Sequence, residues 1–313
     1  MSRREKRWLL YARPIQFLLY LALRAVVMVV HMFPYRAARD IGRLAGRILY
    51  HVDRKHARIA AKNLHRTRGI CPPDEVPAFV LRIYQHFAQS LVEVLMMSRL
   101  LERHEFKKVI HLRTENFDRC VNEGRGAIVV VAHQGNWEMI GVACTLAGYP
   151  VHSLMRPIDN PWIDAYLQHF RTLTGQKMIP RDRALGEMIR VLQRKKFLIV
   201  QVDQDARDSG VYVNFFGRPA STHRAAATLS LKYNAPIVLA NMYREGAINH
   251  CIISDPFYPA AYRDQPDPVK AITQAVTDLL ETYIRQHPEQ WFWIHDRWKT
   301  AERIARVTSE ALV

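Results

Sequence analysis

The apolar run Ala127 to Ala132 leads directly into His133-Gln134-Gly135-Asn136-Trp137-Glu138, and this junction constrains the fold more than any other part of the chain. A short run of Ile and Val reads as a buried strand. Gly135-Asn136 then turns the chain, and the spacing from Trp137 onward predicts a helix. His133 stands at the carboxyl end of the strand, where open α/β sheets place their ligands. Glu138 falls in the first helical turn, close enough to accept a hydrogen bond from the imidazole. A carboxylate fixes the tautomer of its histidine and stabilises the imidazolium, which makes the pair a general base. No Ser, Cys or Thr stands beside it, so the hydroxyl it activates belongs to a substrate.

The pattern continues on both sides. Strands are expected at 127–132, 151–155, 197–202, 236–243, 247–254 and 290–295. Helices are expected at 137–147, 162–173, 183–194, 223–233 and 268–286, the last opened by Asp267-Pro268, an N-cap followed by a first-turn proline. Such alternation implies an α/β fold, a mixed and mostly parallel sheet covered by helices. Upstream, Val76, Phe79, Val80, Ile83, Phe87, Leu91, Val94 and Leu95 mark a long amphipathic helix after the breaker Cys71-Pro72-Pro73-Asp74. The simplest division is a helical N-terminal extension over residues 1–68 and one catalytic domain over 69–313.

Charge sets the extension apart. Of 45 Lys and Arg residues, sixteen lie in residues 1–68, opposed only by Glu5, Asp40 and Asp53, and the remainder of the chain is nearly neutral. A basic segment on a neutral body is an attachment device. Trp8 to Phe33 is strongly apolar but interrupted by Arg13 and Arg24 and basic on both flanks, which argues against a clean span. No A-x-A cleavage signature follows it. Ile41, Leu44, Ile48, Leu49 and Val52 keep helical spacing beside a basic edge of Arg39, Arg43 and Arg47. These features read as a peripheral or monotopic anchor on an anionic bilayer, or a single N-terminal anchor. The same distribution, with no recognition motif, disfavours nucleic acid as the partner.

Four scattered cysteines without a CxxC pair suit a reducing compartment. Walker, G-x-G-x-x-G, H-E-x-x-H and nucleophile-elbow motifs are absent, which disfavours an ATPase, a dinucleotide oxidoreductase, a zinc hydrolase and a serine hydrolase.

Other polar residues admit two readings each. Arg156 follows the strand at 151–155 and either pairs with Asp159 or binds an anionic group. In Asp203-Gln204-Asp205, a calcium loop would need Gly at 208 and Glu at 214, where this chain has Asp208 and Asn214. The triplet also has the form of the metal-binding DxD of nucleotide-sugar glycosyltransferases, but the reading preferred here is that Asp203 orients basic groups near His133 or caps the loop that follows. Arg218, Thr222, His223 and Arg224 precede a helix whose amino terminus could take a phosphate, or Ser221 or Thr222 simply caps it. Trp291 to Ile294 reads as a buried strand, with Arg297 and Lys299 as possible contacts for an acidic partner.

Taken in order, the 133–138 motif, Arg156-Pro157-Ile158-Asp159-Asn160-Pro161, Asn214-Phe215-Phe216-Gly217-Arg218-Pro219-Ala220-Ser221-Thr222 and the segment His287 to Lys299 resemble the bacterial lipid A biosynthesis acyltransferases, the late lauroyl and myristoyl transferases. The resemblance runs from about Pro14 to Lys299. It implies a glycerolipid-acyltransferase-like αβα sandwich and a donor thioester on acyl carrier protein. The implied acceptor is a hydroxyl of a membrane glycolipid, most often a lipid A precursor, with no metal or cofactor. Carried onto this chain, it makes His133 and Glu138 catalytic and places Arg156 beside them; Asp203, Arg218 and Thr222, on the residue arguments above, join Arg156 as substrate-binding candidates. It places the enzyme on the cytoplasmic face of the bacterial inner membrane. Another lysophospholipid or a mannolipid as acceptor is the alternative, although the familiar glycerolipid motif has Asp where this chain has Glu138.

Overall fold

A computed structural model describes residues 13–180 and 184–310. The first residues of the apolar run, Trp8 to Ala12, the basic residues before them and the first residue of the helix expected from 183 lie outside the described residues. Helices α1 (Arg13–His31), α2 (Tyr35–Val52), α3 (Arg54–Arg66) and α4 (Val76–Glu102) form the N-terminal third. There follow α5 (Phe106–Val109), β1 (Ile110–Leu112), α6 (Glu115–Asn122), β2 (Ile128–Val131), α7 (Glu138–Leu146), β3 (Val151–Met155), α8 (Pro161–Leu173) and β4 (Lys177–Pro180). Then come α9 (Ala184–Gln193), β5 (Phe197–Gln201), the hairpin β6 (Val211–Phe215) and β7 (Arg218–Thr222), and α10 (Ala225–Tyr233). The chain closes with β8 (Ile237–Glu245), β9 (Ile248–Ile253), α11 (Pro268–Gln286) and α12 (Lys299–Glu310).

Seven strands form one sheet in the order β1-β9-β8-β2-β5-β3-β4. Every neighbouring pair is parallel except the β8–β9 hairpin. The centre of the sheet is dry because successive residues of β2 face opposite layers. Ile128 and Val130 pack among α3, α9, α10 and α11, whereas Val129 and Val131 pack among α6, α7 and the end of α4. The result is an αβα sandwich, as the alternation implied. Helix α4 belongs to both layers: Val76 to Tyr84 join the first and Val92 to Leu100 the second. Its middle, with Phe87, Ser90 and Glu93, therefore crosses the edge where β2 ends.

Several segments depart from the sequence reading. Residues 290–295 are not a strand. Pro288–Gln290 is a 3-10 turn, and the backbone beyond it clasps the turn that follows β2: Phe292 N donates to His133 O at 3.0 Å and Gln290 O accepts from Gly135 N at 3.0 Å. The aromatic side chains there pack the site, so apolarity in this segment reports burial and not strand periodicity. Two sheet-edge strands, β1 and β4, and the β6–β7 hairpin carried too little apolar alternation to be anticipated. The hairpin turns through Phe216 and Gly217, both at positive φ (52° and 74°), the geometry of a tight two-residue loop.

The N-terminal helices are packed against the body. Ala60 and Leu64 of α3 enter the same core as Trp291, and Gly42 and Gly46 let α2 lie against α4 at backbone distance. Arg39 was expected on an exposed basic edge. It is instead buried, with its guanidinium on Glu93 of α4 (3.0 Å) and on Gly246 O (2.7 Å). Arg43 and Arg47 remain exposed. The outer faces of α1 and α2 carry Leu18, Met28, Val29, Leu44, Ile48 and Val52, each at least half exposed.

Candidate functional site

Two parallel neighbours bring the central pair together. The register sets Val131 of β2 beside Gln201 of β5, so His133 and Asp203, each two residues further on, leave the sheet at the same level. Asp203 Oδ1 lies 2.7 Å from His133 Nδ1, and Oδ2 accepts from the His133 backbone N at 2.8 Å. The Trp291 indole Nε1 also donates to Oδ2, at 2.8 Å. With Nδ1 held as a donor to the carboxylate, the imidazole lone pair is on Nε2, which faces the Gln204 amide nitrogen at 3.4 Å.

The His133 side chain is only 13% exposed. Trp137 and Phe292 stand against the ring at 5.1 and 5.8 Å between centroids, and Phe87 packs on both of them. Burial disfavours the imidazolium, but the charge and hydrogen bond of Asp203, with the charge of Glu138 behind them, hold the His133 pKa above its ordinary value. Burial likewise opposes the ionised form of Asp203, yet His133 and the Trp291 indole hold that carboxyl well below the usual carboxylate range.

Glu138 opens α7, as expected, but the imidazole does not donate to it. Nδ1 points back toward β5 and Asp203. Glu138 is gripped by Arg171 of α8, Nε at 3.1 Å and Nη2 at 2.5 Å, and acts on His133 through charge. The site thus holds two carboxylates, one bonded to the imidazole and one paired with an arginine.

The turn between His133 and Glu138 is fixed from behind. Gly135 has φ +59°, and a Cβ there would lie 2.3 Å from Met242 O. Asn136 donates to Glu93 Oε2 at 2.8 Å and to Ser90 O at 3.1 Å. Glu93 has a fully buried side chain and also receives Arg244 (Nε 3.0 Å, Nη2 2.8 Å), Arg39 and the Tyr35 hydroxyl. Burial raises the cost of its charge, but Arg244, Asn136 and Arg39 outweigh that and hold its pKa below the ordinary value. His86 completes the network: its Nδ1 lies 2.9 Å from Arg244 Nη1, and burial with the neighbouring guanidinium keeps it neutral.

The remaining expected residues are not gathered around His133. Arg156 emerges one residue past β3, at the same sheet edge and two strands away, about 10 Å by strand spacing. Its side chain is 75% exposed and 3.7 Å from Asp159. Thr222 is buried and receives the Arg297 guanidinium, whose other nitrogen donates to Ser221 O at 2.5 Å. No side chain caps α10, because the Ser221 hydroxyl donates to Arg207 O. Arg218 lies 3.9 Å from Glu302. Arg297 is 1% exposed, a buried cation behind Asp203 and Asp205 rather than a contact for an external partner.

Sequence reasoning did not anticipate Arg171, Trp291 as a donor to Asp203, or the Glu93–Arg244 pair. The spacing of two parallel strands could have pointed from His133 to Asp203. Nothing local marks Arg171 or Arg244.

A family model described as bacterial lipid A biosynthesis acyltransferase matches residues 5–300. Relatives by sequence include a phosphatidylinositol mannoside acyltransferase of Mycobacterium tuberculosis, 23% identical over 76% of this chain and 75% of the relative. A lipid A biosynthesis lauroyltransferase of Escherichia coli is 25% identical over 92% of this chain and 93% of its own length. A lipid A biosynthesis palmitoleoyltransferase of the same organism is 22% identical over 85% and 86%.

Proposed function

This chain belongs to the bacterial lipid A biosynthesis acyltransferase family, and from that premise we propose that it moves a fatty acyl chain from a thioester on acyl carrier protein to a hydroxyl of a lipid A precursor. Membership makes it an acyltransferase. The observation that carries the mechanism is the Asp203–His133 contact, which leaves Nε2 as the basic nitrogen in an aromatic, nearly dry recess.

In this reading His133 Nε2 takes the proton of the acceptor hydroxyl as its oxygen attacks the thioester carbonyl. The C–S bond then breaks, and the imidazolium returns the proton to the departing thiolate, so neither metal nor redox cofactor is needed. Asp203 holds the tautomer and stabilises the imidazolium. Glu138 adds negative charge at the same site and, with Arg171, shapes its polar wall. Arg156, exposed at the active edge, serves the phosphate of the acceptor or the developing oxyanion, where its planar fork suits two parallel hydrogen bonds. Thr222 supports the Asp203 side through Arg297, and Arg218 is tied to Glu302.

Attachment fits the same reading. Helix α1 is long and apolar enough to cross a membrane, and α2 adds exposed apolar residues beside Arg43 and Arg47. We place both on the cytoplasmic face of the inner membrane, against anionic lipid. The same basic residues would attract the acidic carrier protein.

A second acceptor has a specific motive: relatives named phosphatidylinositol mannoside acyltransferase cover three quarters of the chain. Purified full-length protein assayed with carrier-protein and coenzyme A thioesters of several chain lengths, against a Kdo-bearing lipid A precursor and a phosphatidylinositol mannoside, separates the two. Acylation of the first alone is expected. Acylation of the mannoside alone replaces the acceptor, and a fully active His133→Ala variant overturns the mechanism.

A further inference from the structure

Helix α1, assigned above to the membrane, is also bolted to the active edge. Asn160 is the N-cap of α8: its Oδ1 accepts from Trp162 N at 3.1 Å and Ile163 N at 3.2 Å. The same side chain turns its Nδ2 to the backbone carbonyl of Gln16 in α1, at 2.7 Å. Gln16 Nε2 answers to Asp159 O at 3.4 Å. Both side chains are buried, Gln16 at 7% and Asn160 at 8% exposure, although most of α1 is open. Phe17 meets Trp162 edge-on at 5.5 Å, and Arg24 lies over the Tyr166 ring at 5.3 Å. A tether that only held the protein to lipid would need none of these contacts.

What α1 grips is what presents the polar wall of the site. The segment 156–160 carries Arg156, and three turns along α8 stands Arg171 on Glu138. We propose that Asn160 is a positioning residue, through which α1 sets α8 so that Arg171 neutralises Glu138 beside His133. The proposal rests on the reading of His133 as the base. It makes the membrane helix a working part of the catalytic site.

The consequence has a sign. The charged groups around His133 are Asp203 beyond β5, Glu138 on α7, Arg171 on α8, and His295 with Arg297 in the C-terminal segment. If α8 shifts and Arg171 leaves Glu138, the carboxylate is uncompensated and favours the imidazolium more strongly. The His133 pKa must then rise. A merely structural contact would lower stability without moving that titration.

Asn160→Asp isolates the joint. An aspartate keeps the cap acceptor and suits a helix amino terminus, but it sets an oxygen against the Gln16 carbonyl where a donor stood. Full-length protein in detergent is titrated by NMR through the His133 ring, assigned with His133→Gln, and assayed with lauroyl carrier protein and a lipid A precursor. We expect His133 to titrate at higher pH in Asn160→Asp and in Arg171→Gln. The double variant should add little to either single one. kcat should fall roughly tenfold, the scale on which small misplacements of a site act. Asn160→Ser, which keeps a cap hydroxyl and lacks the amide donor, gives the same shift should Asn160→Asp fold poorly. An unchanged His133 titration in a folded Asn160 variant overturns the proposal. Wild-type transfer by His133→Ala overturns the base assignment instead, and the titration still reports on the joint.

Discussion

Asp203 holds His133 twice, by the imidazole Nδ1 at 2.7 Å and by the backbone amide at 2.8 Å. One carboxylate thus fixes both where the residue sits and which ring nitrogen carries the proton. Since His133 has a raised pKa, a base at this position stays protonated, and so inactive, to a higher pH than free histidine. The acid limb of kcat/KM should lie above the ordinary histidine value. Asp203→Asn removes the charge that raises it, so the limb should move to lower pH while the maximum rate drops on the order of 10²-fold or more. A pH–rate profile of the two proteins measures both effects, and an unmoved limb would take Asp203 out of the mechanism.

Glu138 and Asp203 should respond differently to neutralisation. Glu138→Gln leaves the Nδ1 bond intact and frees Arg171 from its partner. We expect a lower kcat with the tautomer preserved, and a limb moved down because a neighbouring negative charge is gone. Chemical rescue of neither variant is needed to separate them, because the Nδ1 proton of His133 is visible by NMR and should persist in Glu138→Gln.

Gly135→Ala places a Cβ at 2.3 Å from Met242 O on a backbone at φ +59°. Strain of this kind costs about 1–3 kcal/mol before any clash is counted, so urea unfolding should show a loss of at least that size. Transfer should fall further, since His133 and Glu138 flank the turn.

Glu93→Gln leaves Arg39 and Arg244 buried without their carboxylate. Removing one partner of a buried ion pair typically costs about 3–5 kcal/mol. Glu93 has a lowered pKa, so its contribution is full above the ordinary glutamate value and disappears as pH falls through the lower folded value. Wild-type stability should therefore fall on acidification in a step that the Glu93→Gln protein lacks, as denaturation midpoints from neutral to acid pH would reveal.

Arg156→Lys tests the most exposed site candidate. Its side chain supports nothing buried, so the melting temperature should not change. A loss of roughly tenfold in kcat/KM, about 1.4 kcal/mol, is expected if the fork grips phosphate or oxyanion. Wild-type values of both kcat and KM would make Arg156 an ordinary surface residue.

The sequence was most informative where local periodicity and burial coincide. The strand before His133, the turn at Gly135 and the Asp267 cap of α11 all follow from short-range rules, and all stand in the fold. Asp203 was legible as an orienting group because it follows directly on the strand expected at 197–202. Its preference for Nδ1 over that of Glu138 depends on ring direction, which spacing does not encode. Arg171 and Arg244 reach their carboxylates across 33 and 151 residues, and Arg39 faces inward only because α2 lies on α4. Trp291 looked like strand because an aromatic shell around a site and an aromatic strand share one composition.

The sheet ends on both sides in short strands, three residues in β1 and four in β4. Lys107, Lys108 and Arg113 flank the first, and the second begins with Lys177 and ends on Pro180, which has no amide hydrogen to offer. Exposed strand edges invite pairing with another molecule, and brevity, lysine and proline each discourage it. If the proposed attachment concentrates the protein on a bilayer, collisions between copies there are frequent. Edges of this kind disfavour edge-to-edge pairing between such copies.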